Sequence, residues 1–458
     1  MDDPRHGWLE RVGRASGPIY LRILQALEGA LRSGELQPGD QLPPQRAVAT
    51  RLGVDFTTVT RAYAAARDRG LVEGTVGRGT FVRRRAAQDD AQAVDLSMNL
   101  PPPPANNALG RALRDTADAI LARADPATLM AYHPPSGSPA QRAAGSSWLA
   151  PTLGAVAPGQ VVMAAGAQAA LAAILTTLLR PGEAFVVEPH TYPGVLGLAR
   201  QLRLTPLPCP VDDEGFDPDA LDAVCGGAGV NAIYVVPTFQ NPVATTMGPE
   251  RRAAVAKVAR RREVAIVEDD AYGRLPARPT AALATHAPEL TWHVATLAKA
   301  LSPGLRTAVV AAPSVAAAER LADALRTVSL MPAPLMTAIA VRWIQDGVAE
   351  DLLGAVRAEA LARRGLARAL LPAARGADEA IHLWLELPAG WDGHTLSEAA
   401  GRRGLAAAPA EAFAVGAPAN AVRLSLGAAE TRTALAAGLK ALGEILAGEP
   451  PRPFSDVV

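Results

Sequence analysis

The chain has 458 residues, of which 49% are hydrophobic and 20% are charged, so it can form two or three domains with sizeable cores. The 45 basic and 45 acidic residues cancel, but residues 1–85 contain 14 arginines and 9 acidic residues, a net charge of +5. A basic N-terminal part on a mildly acidic remainder suggests a polyanion partner for the first part only.

Further classes of protein are excluded by cysteine content and by hydropathy. Cys209 and Cys225 do not suggest a disulfide framework, and neither they nor the histidines have metal-ligand spacing, which fits a reducing cytoplasm. Charged residues within the first ten positions interrupt any signal peptide. The uncharged run 161–179 could cross a bilayer, but its alanine, glycine and threonine content predicts a strand, a turn and a helix. We therefore expect no metal and no membrane partner.

Residues 18–82 have the pattern of three helices followed by a hairpin. The predicted elements are Ile19–Leu31, Pro44–Leu52, Asp55 to about Arg69, Leu71–Glu73 and Thr80–Val82. This is the order of a winged helix-turn-helix, whose third helix enters the major groove of DNA by its N-terminal turn. Such units also serve as protein docking modules, but the basic charge favours DNA. The residues expected to contact DNA are Arg46, Thr57, Thr58, Arg61 and, at the wing tip, Arg78.

The same segment resembles the GntR family of bacterial regulators over its whole length. The matching motifs are Leu42-Pro43 with Arg46, Leu52-Gly53-Val54, Thr58-Val59-Thr60-Arg61-Ala62-Tyr63, Gly70-Leu71-Val72 and Gly77-Arg78-Gly79-Thr80-Phe81-Val82. Phe56 stands where the family often has arginine. The resemblance implies that a domain at residues 1–85 binds a double-stranded DNA operator.

A linker at residues 86–105, which ends in Pro101–Pro104, leads into an α/β pattern. Strands separated by helix-length segments predict a largely parallel sheet covered by helices on both faces, within a large domain at residues 106–330. Residues 331–458 then suggest a smaller α+β domain. The predicted strands are Val161–Ala164, Ala184–Glu188, Ala232–Val236, Val264–Val267, Trp292–Ala295, Ala308–Ala312, Ile381–Leu387 and Ala421–Leu426.

Lysine is rare in this chain, and one lysine stands apart. Lys257 and Lys440 fall on predicted helices, whereas Lys299 follows the apolar run 292–297 and precedes a turn with Arg306. Lysine, unlike arginine, can lose its proton and form an imine once its ammonium is desolvated. This position suits covalent carbonyl chemistry beside a bound anion, and it also suits a solvated surface lysine.

Polar residues follow the ends of several predicted strands, where an open parallel sheet binds its ligands. Taken singly they are ambiguous: Gly166-Ala167-Gln168 is a phosphate-binding helix start or a turn, Tyr192 a stacking ring or core, and Asp269 a site carboxylate or an exposed one. Taken in order, they match class I/II aminotransferases of the fold-type I pyridoxal-phosphate group over roughly residues 95–430. The matching residues are Gly166-Ala167-Gln168, Tyr192, Asn241-Pro242, Asp269 with Tyr272, Thr296 with Lys299, and Arg306.

This resemblance implies a fold, a cofactor and a role for each matching residue. Lys299 would form the aldimine of pyridoxal 5'-phosphate, with Asp269 on the pyridine nitrogen as an anion that keeps the ring an electron sink. Lys299, Asp269 and Tyr272 would be the catalytic set. The other implied roles are Tyr272 and Asn241 at the ring hydroxyl, Tyr192 stacked on the ring, Ala167, Gln168, Thr296 and Arg306 at the phosphate, Tyr132 at the partner subunit's phosphate in a homodimer, and Arg423 on an amino-acid carboxylate. Ala298 replaces the usual serine before the lysine, and Asn241-Pro242 lacks its customary glycine.

A GntR-like head on an aminotransferase-like body resembles the MocR type of bacterial regulator, whose members often govern vitamin B6 synthesis or amino-acid use. The first hypothesis is thus a cytoplasmic transcription factor that senses pyridoxal 5'-phosphate, or an amino compound that reacts with it. The second is an aminotransferase that carries a DNA-binding head. A DNA-binding protein whose body holds no cofactor is the third, and the complete set of Lys299, Asp269 and Tyr272 argues against it.

Overall fold

The computed structural model describes residues 4–14, 17–33, 35–37, 39–69, 71–75, 79–82, 94–227 and 229–450. The chain divides into two compact units, Met1–Gln92 and Ala93–Val458. Among the described residues, no helix is both long and apolar enough to cross a membrane.

The N-terminal unit is a helix-turn-helix with a wing. Its elements are α1 (Ile19–Ser33), α2 (Gln45–Leu52), α3 (Phe56–Asp68) and the antiparallel strands β1 (Val72–Thr75) and β2 (Gly79–Val82). Gly53 ends α2 with a φ of 62°, where glycine avoids the strain of a side chain, and the Asp55 side chain accepts a hydrogen bond from the Thr57 N–H at 2.8 Å to cap α3. The predicted fold of this unit is confirmed.

The core of this unit also includes a segment before the predicted first helix. A 3-10 helix at Pro4–Arg14 buries Trp8, Leu9 and Val12 against the helices. Tyr63 of α3 lies in the same core, where its hydroxyl donates to the Pro43 carbonyl at 2.9 Å. This contribution could not be predicted, because three apolar residues within five positions are too short a pattern to identify a helix.

The C-terminal unit alternates strands and helices for most of its length. The first half contains β3 (Val94–Asp95), α4 (Ala108–Leu121), α5 (Pro126–Leu129), α6 (Pro139–Leu153), β4 (Val161–Ala164), α7 (Ala167–Leu178), β5 (Ala184–Val187), α8 (Pro193–Leu202), β6 (Thr205–Pro208), β7 (Val211–Asp212), β8 (Gly215–Phe216), α9 (Pro218–Cys225), β9 (Val230–Val235), α10 (Pro249–Arg262) and β10 (Ala265–Asp269). The second half contains α11 (Leu283–His286), β11 (Thr291–Thr296), α12 (Leu297–Ala300), β12 (Ala308–Ala311), α13 (Val315–Val328), α14 (Pro334–Gln345), α15 (Val348–Leu370), β13 (His382–Glu386), α16 (Gly393–Gly401), β14 (Leu405–Ala406), β15 (Ala408–Pro409), β16 (Ala421–Ser425) and α17 (Arg432–Ala447).

The main sheet has the order β4-β12-β11-β10-β9-β5-β6 in the described part of the chain. Its pairs are parallel except those of β12, which runs antiparallel to β11 and β4. The predicted, largely parallel α/β sheet is confirmed, and the run 161–179 is strand, turn and helix as expected. The edge strand β6 was not predicted because Pro206 and Pro208 argue against a strand, but an edge tolerates proline.

A second, smaller sheet of order β13-β16-β15 packs with α15 and α17 around its own core. The first strand of the C-terminal unit, β3, also belongs to this smaller part, because it pairs in parallel with β14. We call residues 94–99 the strap. It continues beyond β3, and the Leu96 carbonyl accepts a hydrogen bond from the Ser425 N–H at 2.7 Å.

Candidate functional site

The carboxyl ends of the parallel strands open into one cavity of the C-terminal unit. Because β12 runs antiparallel, it starts at the edge where its neighbours end, which brings Arg306 to the same place. Nine of the residues predicted to bind the cofactor line this cavity: Ala167, Gln168, Tyr192, Asn241, Asp269, Tyr272, Thr296, Lys299 and Arg306. Residues up to 139 positions apart in sequence therefore share one site.

Lys299 lies in α12, the short helix that follows β11. Its Nζ donates a hydrogen bond to the Asn99 carbonyl of the strap at 2.5 Å. Burial and the nearby Arg423 guanidinium lower the pKa of the Lys299 ammonium to about 8, and the Asp269 carboxylate opposes this shift. A substantial fraction of the amine is therefore neutral, and hence nucleophilic, near neutral pH.

Asp269 ends β10, next to β9 in the sheet. Its Oδ2 accepts a hydrogen bond from the Tyr234 hydroxyl at 2.7 Å, whereas its buried Oδ1 has no hydrogen-bond partner among the described residues. Burial raises the pKa of Asp269 to about 6, and the Tyr234 hydrogen bond acts against that rise. The carboxyl group is thus mostly ionised at neutral pH, and it is not the exposed carboxylate that the sequence left open.

The sequence neighbours of Asp269, Glu268 and Asp270, are buried and lie close to the buried His293. His293 Nδ1 is 2.9 Å from Glu268 Oε2, and the Glu268 carboxylate also accepts the N–H groups of Leu283 and Ala284. The carboxylate raises the pKa of His293 against the effect of burial. Asp270 Oδ2 lies 3.9 Å from the other imidazole nitrogen of His293, so the imidazole lies between two carboxyl groups.

Tyr272 is held by a residue that the sequence did not suggest. The Asn99 Nδ2 donates to the Tyr272 hydroxyl at 2.9 Å and lies 3.3 Å from His382 Nδ1. Burial lowers the pKa of His382 to about 3, so this imidazole is neutral, and its Nε2 donates to the Gln240 carbonyl at 3.0 Å. Asn99 precedes a proline run and carries no periodic pattern, so no sequence signal pointed to it.

The opposite end of the cavity is built around the start of α7. The first amides of a helix lack helical partners and attract anions. A Cβ at Gly166 would lie 2.9 Å from Arg306 Nη2, so glycine makes room for that guanidinium, and its φ of 89° also favours glycine. The Tyr192 hydroxyl donates to Gln168 Oε1 at 3.1 Å, and the Thr296 hydroxyl caps α12 through the Ala298 N–H at 3.2 Å.

Two of the predicted site residues, Arg423 and Tyr132, do not line this cavity. Arg423 of β16 stands beside the cavity wall, donating to Asn241 Oδ1 at 2.8 Å and to the Ser97 carbonyl of the strap. Its Nε is buried without a partner among the described residues, and its guanidinium lies 4.9 Å from the centre of the Phe413 ring. Tyr132 is far more accessible, with 83% of its surface exposed.

The predicted DNA-binding residues cluster near the turn between α2 and α3. Arg46 is exposed at the start of α2, and Thr57 lies at the start of α3, where its hydroxyl donates to Asp55 Oδ1. Thr58 is partly buried beside it, while the Arg61 guanidinium lies over the Tyr20 ring of α1 at 4.1 Å. Arg78 lies outside the described residues.

Comparison with known families agrees with this architecture. The sequence model of the aminotransferases of class I and II matches residues 91–442. This chain belongs to the class I and II aminotransferase family. The model of the gntR family of bacterial regulatory proteins matches residues 19–82, so this aminotransferase-family chain carries a GntR-type DNA-binding domain at its N-terminus. The predicted combination of the two domains is confirmed.

Individual proteins share one or both parts. The uncharacterized HTH-type transcriptional regulator YdeF of Bacillus subtilis is 30% identical over 96% of both chains. The vitamin B6 salvage pathway transcriptional repressor PtsJ of Salmonella typhimurium is 26% identical over 90% of this chain and 94% of its own. The crystal structure of Pyrococcus horikoshii kynurenine aminotransferase superposes with a TM-score of 0.71 at 24% identity, over 78% of this chain and 92% of that one, and shows the shared fold.

Proposed function

We propose that this protein is a transcriptional regulator that binds duplex DNA through its N-terminal unit and pyridoxal 5'-phosphate through the cavity around Lys299. It would respond to the cofactor itself or to an amino compound that reacts with it. The observation that carries the proposal is that Lys299, the buried carboxylate of Asp269 and the guanidinium of Arg306 line the same cavity. The resemblance in length and sequence to two regulators, one of them concerned with vitamin B6, supports it.

The cavity fits this cofactor in three respects. The unpartnered Oδ1 of Asp269 can accept a hydrogen bond from a protonated ring nitrogen. The Arg306 guanidinium, for which Gly166 leaves room, lies at the start of α7, and this arrangement suits a phosphate. The partly neutral amine of Lys299 suits an aldehyde.

Bound pyridoxal 5'-phosphate supplies an aldehyde that condenses with primary amines and a ring that withdraws electrons. In our proposal Lys299 delivers its unprotonated amine, and Asp269, fixed by the Tyr234 hydroxyl, keeps a proton on the ring nitrogen. Tyr272 and Asn241 would hold the ring hydroxyl, and Tyr192 would cover a ring face. The phosphate would be held by Ala167, Gln168, Thr296 and Arg306.

Ligand binding in this cavity would act on the strap. The Lys299 amine donates to the Asn99 carbonyl, and the Arg423 guanidinium donates to the Ser97 carbonyl. A cofactor bound covalently to Lys299 would break the hydrogen bond between Lys299 and the strap. An effector carboxylate bound by Arg423 would likewise break the hydrogen bond between Arg423 and the strap. Residues 94–99 follow in sequence from the segment that links the two units, so this exchange offers a route from ligand to DNA-binding head. Such coupling requires the ligand to bind two arrangements of the protein with different affinity.

We further propose that the protein forms a homodimer and acts in the bacterial cytoplasm, where its DNA operator would be located. Tyr132 supports the dimer, since an aromatic side chain that is 83% exposed is available to a second copy of the chain. Its hydroxyl would then reach the phosphate bound by the partner subunit. The mass of the natural chain in solution tests the assembly, and the affinity of Tyr132→Phe for pyridoxal 5'-phosphate, compared with that of the natural chain, tests the role of the hydroxyl.

The experiment that tests the cofactor proposal is a titration with pyridoxal 5'-phosphate followed by dialysis. We expect a visible absorption band that persists in the natural chain and in Lys257→Ala, whose lysine is exposed on α10, and that disappears in Lys299→Ala. Retention of duplex DNA should then differ with and without the cofactor. A band that survives in Lys299→Ala refutes the assignment of the lysine, and no band in the natural chain refutes cofactor binding.

An aminotransferase that acts chiefly by catalysis is the second candidate. The specific observation in its favour is that Lys299, Asp269, Tyr272 and Arg423 are all present at the cavity or beside it. Steady-state turnover with common amino acids and 2-oxo acids separates the candidates. Fast, sustained transamination would favour the enzyme, whereas a single half-reaction without turnover would favour the regulator.

A further inference from the structure

The recognition helix α3 begins with a turn that carries no cation. Its cap, Asp55, is tied to Thr57 by hydrogen bonds from the Thr57 N–H at 2.8 Å and from its hydroxyl at 2.5 Å. Arg61 lies one turn further along, and its guanidinium covers the Tyr20 ring of α1 at 4.1 Å. The commonest base contact in the major groove, from arginine or lysine to guanine, is therefore not offered by the first turn of α3.

What this turn does offer is an aromatic ring. Phe56 is the first residue of α3, and 45% of its surface is exposed, whereas among the described residues of this unit Trp8 and Tyr63 are buried and Tyr20 and Phe81 are partly buried. The Thr60 hydroxyl helps to hold this turn, because its one hydrogen can be donated either to Gln45 Oε1 of α2, at 2.8 Å, or to the Phe56 carbonyl, at 3.0 Å. A single exposed apolar residue is ordinary on a protein surface. Phe56 is significant because of its position at the start of the recognition helix rather than because of its exposure.

We infer that Phe56 is a base-reading residue that contacts the C5-methyl group of a thymine in the major groove of the operator. The N-terminal residues of a recognition helix are those that reach base edges. The thymine methyl is the apolar group that the four bases present in that groove, and phenylalanine is among the side chains that contact it. This inference rests on the proposed DNA binding and adds the chemical feature that the protein reads.

The test uses the full chain, with and without pyridoxal 5'-phosphate, and a pool of duplexes with a randomised centre. After selection of a preferred duplex, each of its thymines is replaced singly by deoxyuridine, which differs from thymidine by the missing methyl group. At one thymine in each half-site we expect the replacement to weaken binding about four-fold, the effect of withdrawing one methyl-sized group from an apolar contact. Replacement at the other thymines should leave the affinity unchanged.

The variants assign the effect to Phe56. Phe56→Ala should bind the thymidine and deoxyuridine duplexes equally, and Phe56→Leu should keep part of the difference. Arg46→Ala, on the neighbouring helix, should bind both duplexes more weakly and retain the four-fold ratio, because a phosphate contact carries no base information. Equal thermal unfolding of the variants and the natural chain verifies that the fold is intact.

Two results would overturn the inference while leaving DNA binding in place. One is indifference of the natural chain to deoxyuridine at every thymine, and the other is an undiminished preference for thymidine in Phe56→Ala. If no duplex is retained from the pool at all, the proposed DNA binding and the reading by Phe56 fall together.

Discussion

The depressed pKa of Lys299 makes a quantitative prediction about how fast the cofactor binds. Condensation with an aldehyde requires the neutral amine. At pH 7 a pKa of about 8 leaves about a tenth of the amine neutral, whereas the ordinary value of 10.5 would leave about 0.03%, a difference of roughly 300-fold in rate. The association rate should therefore rise with pH and level off above about pH 8.

Two substitutions should move this profile in opposite directions. Arg423 disfavours a second positive charge, so Arg423→Gln should raise the pKa of Lys299 and slow association at pH 7. Asp269 favours the ammonium, so Asp269→Asn should lower the pKa and shift the midpoint to lower pH. The assay is stopped-flow absorbance after mixing with pyridoxal 5'-phosphate between pH 6 and 10. A midpoint above pH 10 in the natural chain, or shifts of the same sign in both variants, would refute the electrostatic account.

Other predictions concern stability, the phosphate end of the cavity and the DNA-binding unit. Because burial depresses the pKa of Lys299, the protonated lysine destabilises the fold below about pH 8, so Lys299→Met should raise the free energy of unfolding at pH 7 by about 1–3 kcal/mol, a gain that shrinks as pH rises from 8 towards 10.5 in denaturant titrations. Gly166→Ala should weaken cofactor binding by about ten-fold or more in equilibrium titrations, because its Cβ would press on Arg306 and a misplaced contact of this kind costs over 1.4 kcal/mol. Arg46→Ala should lower the slope of log affinity for duplex DNA against log salt by about 1, since one phosphate contact is lost.

Each of these predictions has a control in the same chain. Lys440→Met, on the exposed side of α17, should show no pH-dependent gain in stability. Gly182→Ala has a similar φ of 94° and open space around its Cβ, so it should cost stability without weakening the cofactor. Arg403→Ala, in the C-terminal unit, should leave the salt slope unchanged. Equal behaviour of test and control variants in any pair would contradict the reason given for it.

Much of this site could be predicted because its residues follow strand ends. The apolar runs that became β4, β5, β9, β10 and β11 are short and bounded by polar or turn-forming residues, and parallel strands share one carboxyl edge. The polar residues that follow them therefore had to meet. The order Asp55 to Thr57 likewise predicted the cap of α3, because that interaction spans two residues.

The partners of those residues could not be predicted in the same way. Tyr234 lies within an apolar run, and its contact with Asp269 follows from the pairing of β9 with β10, which places Tyr234 opposite Val267. The burial of Trp8 beneath the DNA-binding helices likewise depends on packing between segments that have no shared pattern.

The sequence by itself determined the two domain types, the run of helices and strands in each, and the residue types brought to the cavity, because periodicity, caps and strand-end positions are local properties of the chain. Only the tertiary structure decided that the strap closes on the site, with the Asn99 carbonyl on Lys299 and the Ser97 carbonyl on Arg423, contacts that span 200 and 326 residues. Such backbone contacts leave no trace in residue type, since every residue has a carbonyl group, and they are fixed by the pairing of β3 with β14 in a distant part of the chain.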